Sequence, residues 1–183
     1  MSLVMVISGS PSQRSKTAMV GDYVVNQLAL RSIEARHLAV QQLPAGPLLA
    51  GNCDDPQISE AIRLVEHADG LVIATPTFKA SYSGLLKTFL DLLPQFAFAR
   101  KAILPLATGG SMAHVLALDY GLRPVLQSMG ARHIVQSYFI LDKYLDATSG
   151  MLSIETSAEA PLVNLIQEFC DALKPPSSAC AGH

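Results

Sequence analysis

Four polar residues near the start of the chain have the types and spacing of a phosphate-binding loop. Ser10, Arg14, Ser15 and Thr17 follow a short apolar run and lead into an amphipathic stretch. Hydroxyl and backbone N–H groups at the start of a helix bind phosphate, and the helix dipole favours negative charge there. The loop has neither the GxGxxG pattern nor the P-loop spacing. A serine-rich helix start with solvated cations explains the same residues, so this loop alone leaves both interpretations open.

A second loop offers a surface for a flat ring. Pro76, Thr77, Phe78 and Lys79 follow the apolar run 71–74, which has the composition of a buried parallel strand. Pro76 is expected to end that strand, because proline cannot donate to the hydrogen-bond ladder. A rigid edge, an aromatic face and a cation suit a flat, electron-rich ring better than they suit a metal or a nucleic-acid backbone.

A third loop contains two adjacent glycines. In Thr108, Gly109, Gly110 and Ser111 the backbone amides can approach a ligand without interference from a Cβ atom. Amides aimed at a ring carbonyl would stabilise the negative charge that develops there. A simple strand-to-helix turn with Ser111 as the cap is the alternative interpretation.

Hydrophobic periodicity predicts the elements that position these loops. Strands are expected at 3–8, 32–40, 71–75, 102–107 and 133–139, and helices at 15–30, 58–67, 84–93, 112–129 and 160–173. Ser83 is expected to cap the helix that begins at Gly84. Residues 41–57 and 142–158 are expected to be irregular.

This alternation of strands and helices predicts an α/β fold, a three-layer sandwich with helices on both faces of a parallel sheet. Among the allowed topologies, the flavodoxin-like order 2-1-3-4-5 of a five-stranded sheet fits best. It places the ends of strands one, three and four side by side, where ligands bind in such folds. We expect a single domain at residues 1–173 and a disordered tail at 174–183.

The three loops therefore converge on one site. A phosphate loop, a ring loop and an amide loop at adjacent strand ends suit a phosphorylated chain that carries a flat heterocycle. FMN is the ligand that needs all three, and its reduced ring carries negative charge on the side where Gly109 and Gly110 would lie.

The same stretches resemble one family. The motifs are Gly9-Ser10-Pro11, the run ATPTFKASYSGLLKT at 74–88, Leu104–Gly110, Ala113-His114 and Asp119-Tyr120. Over residues 4–140 the chain is similar to the NAD(P)H-dependent FMN reductases of the flavodoxin-like superfamily. It looks closest to the reductase of the two-component alkanesulfonate monooxygenase system.

This resemblance implies how the site is used. It places the FMN phosphate at Ser10, Ser15 and Thr17, the ring at 76–79 and the ring edge at 108–111. It implies FMN and NADPH or NADH as cofactors, and an FMNH2-dependent monooxygenase as partner. The chain departs from many relatives at Ser12, where they have arginine, and at Phe78, where they often have tyrosine.

Composition and charge exclude other classes of protein. A net charge of −2 with no basic stripe argues against nucleic-acid binding, and no apolar run approaches the ~18 residues of a membrane span. Three scattered cysteines favour a reduced, cytoplasmic setting. A flavodoxin-type electron carrier would be more acidic and would enclose the ring with Trp or Tyr, whereas this chain has no Trp. An azo- or quinone-reductase on the same fold remains an alternative.

Two further expectations concern helices. The apolar residues of 84–93 cover most of the helix circumference, which predicts a homo-oligomer, a tetramer built from dimers. Pro124 lacks an N–H group and so deprives the Tyr120 carbonyl of its helical partner, while Gly121 adds flexibility. A single wide turn with an i→i+5 bond is expected there, with a simple proline kink as the alternative.

Overall fold

The computed structural model describes residues 2–148 and 150–173. The strands are β1 Leu3–Ser8, β2 Glu34–Ala39, β3 Gly70–Phe78, β4 Ser81–Tyr82, β5 Ala102–Gly109, β6 His133–Ile134, β7 Tyr138–Leu141, β8 Leu145–Asp146 and β9 Ser153–Ile154. The α-helices are α1 Lys16–Ala29, α2 Ala45–Ala50, α3 Pro56–His67, α4 Gly84–Leu90, α5 Arg123–Ser128 and α6 Thr156–Ala172. Short 3₁₀ turns form at Val40–Gln42, Met112–His114 and Asp142–Tyr144. The predicted tail at 174–183 lies outside the described residues.

The central sheet confirms the predicted fold class. Its parallel strands run in the order β2-β1-β3-β5-β6, which is the predicted 2-1-3-4-5 once β5 and β6 are counted as the fourth and fifth strands. The predicted number of five strands is wrong, because this sheet has seven. The stretch 133–139 forms two short strands that both pair with β5, and β4 adds an antiparallel strand to β3.

Helices cover both faces of this sheet. Alternate residues of a strand point to opposite faces, so Val4 and Val6 pack under α1 and α6, while Met5 and Ile7 pack under α2 to α5. Both sets are buried, which explains why the central strands are apolar without alternation. Within the described residues, no helix is long and apolar enough to cross a membrane.

Pro76 does not end its strand as predicted. β3 continues to Phe78, and Pro76 still pairs with Thr108 of β5. On the other side, Ala74 accepts a hydrogen bond from the Gly9 N–H just past the end of β1. Residues two apart in a strand direct their backbone groups to the same side, so Pro76 faces the space beyond β1. Its missing N–H therefore breaks no ladder bond.

The single helix predicted at 112–129 is wrong. The structure has the 3₁₀ turn at Met112–His114, a π-helix at Leu118–Leu122 and the short α5. In the π-helix the Arg123 N–H bonds the Leu118 carbonyl, so the predicted i→i+5 turn is confirmed. The missing donor at Pro124 accounts for it.

Several other elements also differ from the prediction. Part of the predicted loop 41–57 is α2, which Pro44 precedes and Gly51 ends in the left-handed conformation. Pro47 lies in the first turn, where a proline costs no helical hydrogen bond. Helix α4 ends at Leu90 rather than 93, and α6 begins at Thr156 rather than 160.

Candidate functional site

A buried hydrogen bond joins the first loop to the third. The hydroxyls of Thr17 and Thr108 lie 2.7 Å apart, and each residue is only 3% exposed. Thr17 is in the first turn of α1 and Thr108 is next to last in β5, so the bond spans the end of β3 between them. The predicted convergence of these two loops is therefore a direct contact.

Ser83 joins the second loop to the first. Its hydroxyl donates to the Gly9 carbonyl and accepts from the Leu86 N–H, which makes it the predicted cap of α4. Its own N–H donates to the hydroxyl of Thr75, 2.9 Å away. All these groups are buried, so the first loop, the end of β3 and the start of α4 form one rigid assembly.

The predicted phosphate residues divide into a buried and an exposed group. Ser10, Ser15 and Thr17 are at most 5% exposed, and Ser15 caps α1 by accepting from the Ala18 N–H at 3.2 Å. Arg14 is exposed beside them. The hydroxyls and the start of α1, a 14-residue helix, therefore provide the donors that a phosphate needs.

The second loop presents one face to solvent. Pro76 is buried and Thr77 is half-buried, but Phe78 is 49% exposed and Lys79 is exposed at the tip. Lys79 and Ala80 both have positive φ, 51° and 63°, and together form the two-residue turn between β3 and β4. An aromatic ring and a cation thus stand at the rim of the site, as the sequence predicts.

The two glycines of the third loop have different roles. A Cβ atom on Gly109 would lie 2.8 Å from Phe139 and 3.3 Å from Thr77, so Gly109 is needed for packing between strand ends. A Cβ atom on Gly110 would meet nothing within 4 Å. Only Gly110 offers the open backbone that the sequence suggested for both, and Ser111 caps the 3₁₀ turn that follows.

A three-residue hydrogen-bonded chain beside the first loop was not predicted. The Ser8 hydroxyl lies 2.8 Å from His37 Nε2, and His37 Nδ1 lies 2.7 Å from Asp22 Oδ1. The arrangement has the order of a hydrolytic triad, but Ser8 is 1% exposed and so is closed to a substrate. No spacing in the sequence indicates it, because β2 brings His37 beside residues 15 and 29 positions earlier.

The site gathers the residues that the sequence assigned to FMN, and its donors fit a phosphate and a ring edge. The model of the family described as NADPH-dependent FMN reductase matches residues 2–146. The chain belongs to this family. It is accordingly an NAD(P)H:FMN oxidoreductase, and FMN with NADPH or NADH are its cofactors, as expected from the sequence.

Individual relatives support this assignment. The chain is 42% identical to an FMN reductase (NADPH) of Pseudomonas putida, covering 91% of this chain and 81% of that protein. It is 41% identical to an FMN reductase (NADPH) of Escherichia coli, covering 76% and 73%. Among solved structures, an apo NADH:FMN oxidoreductase (EMOB) is 47% identical with a TM-score of 0.88, covering 97% and 93%. Relatives named for NADPH and a solved structure named for NADH are about equally similar to this chain. The comparisons therefore do not show which of the two nicotinamide cofactors it uses.

Proposed function

We propose that this FMN reductase supplies FMNH2 to a partner monooxygenase of alkanesulfonate utilisation. The motif resemblance at 74–88 and 104–114 supports the choice of partner system. The observation that carries the donor role is the exposed rim of the site, where Phe78 is 49% exposed. A flavin held on such a rim can leave after reduction, which a donor requires.

The chain's own contribution is positioning. The buried hydroxyls of Ser10, Ser15 and Thr17 hold the phosphate at the start of α1. Phe78 and Lys79 would border the ring, and the open backbone at Gly110 would lie at its edge. Bound FMN supplies the redox chemistry by accepting a hydride. The protein must therefore hold two rings at about 3–3.5 Å rather than supply an acid or a base.

Flavin exchange is part of the proposal. Phe78 is the single aromatic residue in the three stretches 10–17, 76–79 and 108–111, so these stretches contain no second ring to clamp the outer face. Purified protein should be nearly colourless and should regain activity when FMN is added. A stoichiometrically yellow preparation with ping-pong kinetics would contradict exchange.

We also propose that the protein forms a homo-oligomer, but through an interface of other residues than the sequence predicts. Leu86, Phe89 and Leu90 of α4 are buried within one chain, so that helix gives little reason for a partner. The segment after β5 instead exposes four apolar side chains, Met112, Val115, Leu116 and Tyr120, by 38–78%. A second copy covering them would remove this patch from water.

The experiment compares electron acceptors and then tests transfer. NADPH and NADH oxidation is measured with FMN, a quinone and an azo dye, and the proposal expects the highest kcat/KM with FMN. Sulfite release by an alkanesulfonate monooxygenase is then followed with this enzyme as the flavin source. A preference for the quinone or the azo dye would favour the alternative activity. No sulfite release, although chemically reduced FMN supports it, would exclude this partner.

A cytoplasmic location is proposed on two grounds. NAD(P)H is the reductant, and the exposed Cys53 forms no disulfide, which suits a reducing compartment. Fractionation of the native host followed by immunodetection tests it, and recovery outside the cytoplasm would contradict it.

A further inference from the structure

The hydrogen-bonded chain of Ser8, His37 and Asp22 joins the two ends of the first loop. Ser8 is the last residue of β1 and directly precedes that loop, whereas Asp22 lies in the second turn of α1, which follows it. His37 reaches both from the neighbouring strand β2, at 2.8 Å from the Ser8 hydroxyl and 2.7 Å from Asp22 Oδ1. The imidazole ring therefore bridges the start and the end of the first loop without belonging to it.

The chemistry of the three side chains fixes the direction of both hydrogen bonds. An ionised carboxylate only accepts hydrogen bonds, so Nδ1 of His37 carries a hydrogen and donates it to Asp22. In the neutral ring Nε2 is then an acceptor, and the Ser8 hydroxyl donates to it. Asp22 thus orients the imidazole ring, and the ring holds the side chain of Ser8.

Gly21 gives this ring its place against α1. A Cβ atom at Gly21 would lie 2.8 Å from Nε2 of His37 and 3.0 Å from Cε1, so a methyl group there would displace the ring. Glycine inside a helix is destabilising, because its backbone loses the most freedom on folding. The close packing of His37 accounts for a glycine at this position of α1. The ring is therefore held by contact with the helix as well as by its two hydrogen bonds.

Burial makes the bond at Ser8 the more important of the two. Ser8 is buried and the ring of His37 is largely buried, whereas the carboxylate of Asp22 is exposed. A buried hydroxyl that loses its partner is unfavourable, but an exposed carboxylate is readily solvated. Loss of His37 should therefore disturb the end of β1 more than loss of Asp22 does.

The groups proposed to bind the flavin phosphate come from both ends that the ring bridges. Ser10 follows Ser8 by two residues, while Ser15 and Thr17 belong to the start of α1. A phosphate must contact both sets at once, and a site whose parts are already held in place binds with less loss of conformational freedom. The ring loop and the amide loop follow β3 and β5 instead, and neither bond of this chain involves them.

We propose that His37 is a positioning residue that sets the first loop for the flavin phosphate, acting through Ser8 and oriented by Asp22. Its effect falls on the phosphate and not on the ring, so it favours FMN over riboflavin, which has no phosphate. This inference rests on the proposed use of the first loop for the flavin phosphate. A direct contact between His37 and the phosphate is the competing explanation, and a double variant separates the two.

The test measures kcat/KM for FMN and for riboflavin, with saturating NAD(P)H, on the wild type, Ser8→Ala, His37→Leu and the double variant. Loss of the bond should lower kcat/KM for FMN about three- to tenfold, while that for riboflavin stays within about twofold. Because His37 acts through Ser8, the double variant should lose no more than either single variant.

Two further variants keep the test independent of folding defects. Asp22→Ala removes only an exposed carboxylate, so it should shift the preference in the same direction by a smaller factor. His67→Leu is the matched control, because it removes an exposed histidine that bonds the Arg63 carbonyl within α3. It should change kcat/KM for neither flavin. Urea midpoints identify the variants that are folded.

Three results would overturn the assignment. An unchanged preference for FMN over riboflavin in folded variants at Ser8, His37 and Asp22 would show that the chain does not position the loop. Equal losses for both flavins would show a general structural role. Losses that multiply in the double variant would give His37 a contact of its own with the phosphate. Each result leaves the phosphate-loop assignment intact if the wild type prefers FMN. A wild type that reduces both flavins alike removes that assignment, and this inference with it.

Discussion

The bond between Thr17 and Thr108 allows a quantitative test of how the site is held together. Thr17→Val keeps the shape of the side chain but leaves the Thr108 hydroxyl buried without this partner. An unsatisfied buried hydroxyl costs about 1–3 kcal/mol, so the free energy of unfolding should fall by that amount. Thr108→Val should cost a similar amount. Replacing both hydroxyls leaves neither one unpaired, so the double variant should lose far less than the sum.

Urea unfolding of the wild type, both single variants and the double variant gives the coupling energy. We expect the two losses to be non-additive by about 1–2 kcal/mol. Thr88→Val is the control, because that hydroxyl bonds the Gly84 carbonyl on the exposed side of α4 and should cost little. Additive losses would refute the direct contact. FMN titration of the folded double variant should show weaker binding, since Thr17 is also one of the hydroxyls that we propose to bind the phosphate.

Three further predictions address other parts of the molecule. Gly109→Ala should lower stability by about 1–3 kcal/mol by crowding Phe139, whereas Gly110→Ala should unfold like the wild type; equal urea midpoints would contradict this. Tyr120→Ala should change both the mass in light scattering and the FMN exchange rate; if neither changes, the tyrosine is only a packing residue. Burial lowers the pKa of Lys101, so the unfolded chain binds that proton more readily. Wild-type stability should therefore rise with pH between the folded-state pKa and ~10.4, and Lys101→Met should abolish that rise.

Much of the fold follows from local patterns. Apolar runs of strand length and right-handed crossovers restrict the topology, and β1 was predicted residue for residue. The order of the central strands followed from the positions of the three unusual loops. Local signals also located the π-helix, because one proline removes one identifiable hydrogen bond at Tyr120.

The errors arose where tertiary context overrides a local rule. Proline normally ends a strand, yet Pro76 stays in β3. The backbone of Pro76 faces the side where β1 lies, and the pairing with β1 has already ended at Ala74, so no hydrogen bond is lost. Proline and glycine normally indicate a loop, yet Pro47 and Gly51 take the two positions that a short helix tolerates. Neither result can be deduced without knowing the neighbouring elements.

In the candidate site, too, some features could be predicted from the sequence and others could not. Residue types were enough to nominate the three loops, because each carries the groups that one part of FMN needs. The bonds that fix their geometry were not predictable, since Thr17 pairs with a residue 91 positions away and Ser83 with one 74 positions away. A serine or threonine can form such a bond with many partners, so its type alone does not identify one.

These bonds bear on the proposed mechanism, in which the protein positions two rings and supplies no acid or base. Hydride transfer requires a fixed arrangement of the two rings and little acid–base chemistry from the protein. Hydrogen bonds between buried hydroxyls can fix that arrangement without adding a titratable group. Ser83 contacts the Gly9 carbonyl, the Thr75 hydroxyl and the Leu86 N–H, so it ties together the phosphate loop, the ring strand and α4. Ser83→Ala would remove the two hydroxyl bonds, to the Gly9 carbonyl and from the Leu86 N–H, while its backbone N–H could still donate to Thr75. The first loop would then lose its tie to the start of α4, and FMN affinity should fall although Ser83 itself need not contact the flavin. Unchanged FMN affinity in a folded Ser83→Ala variant would show that these links do not position the flavin site.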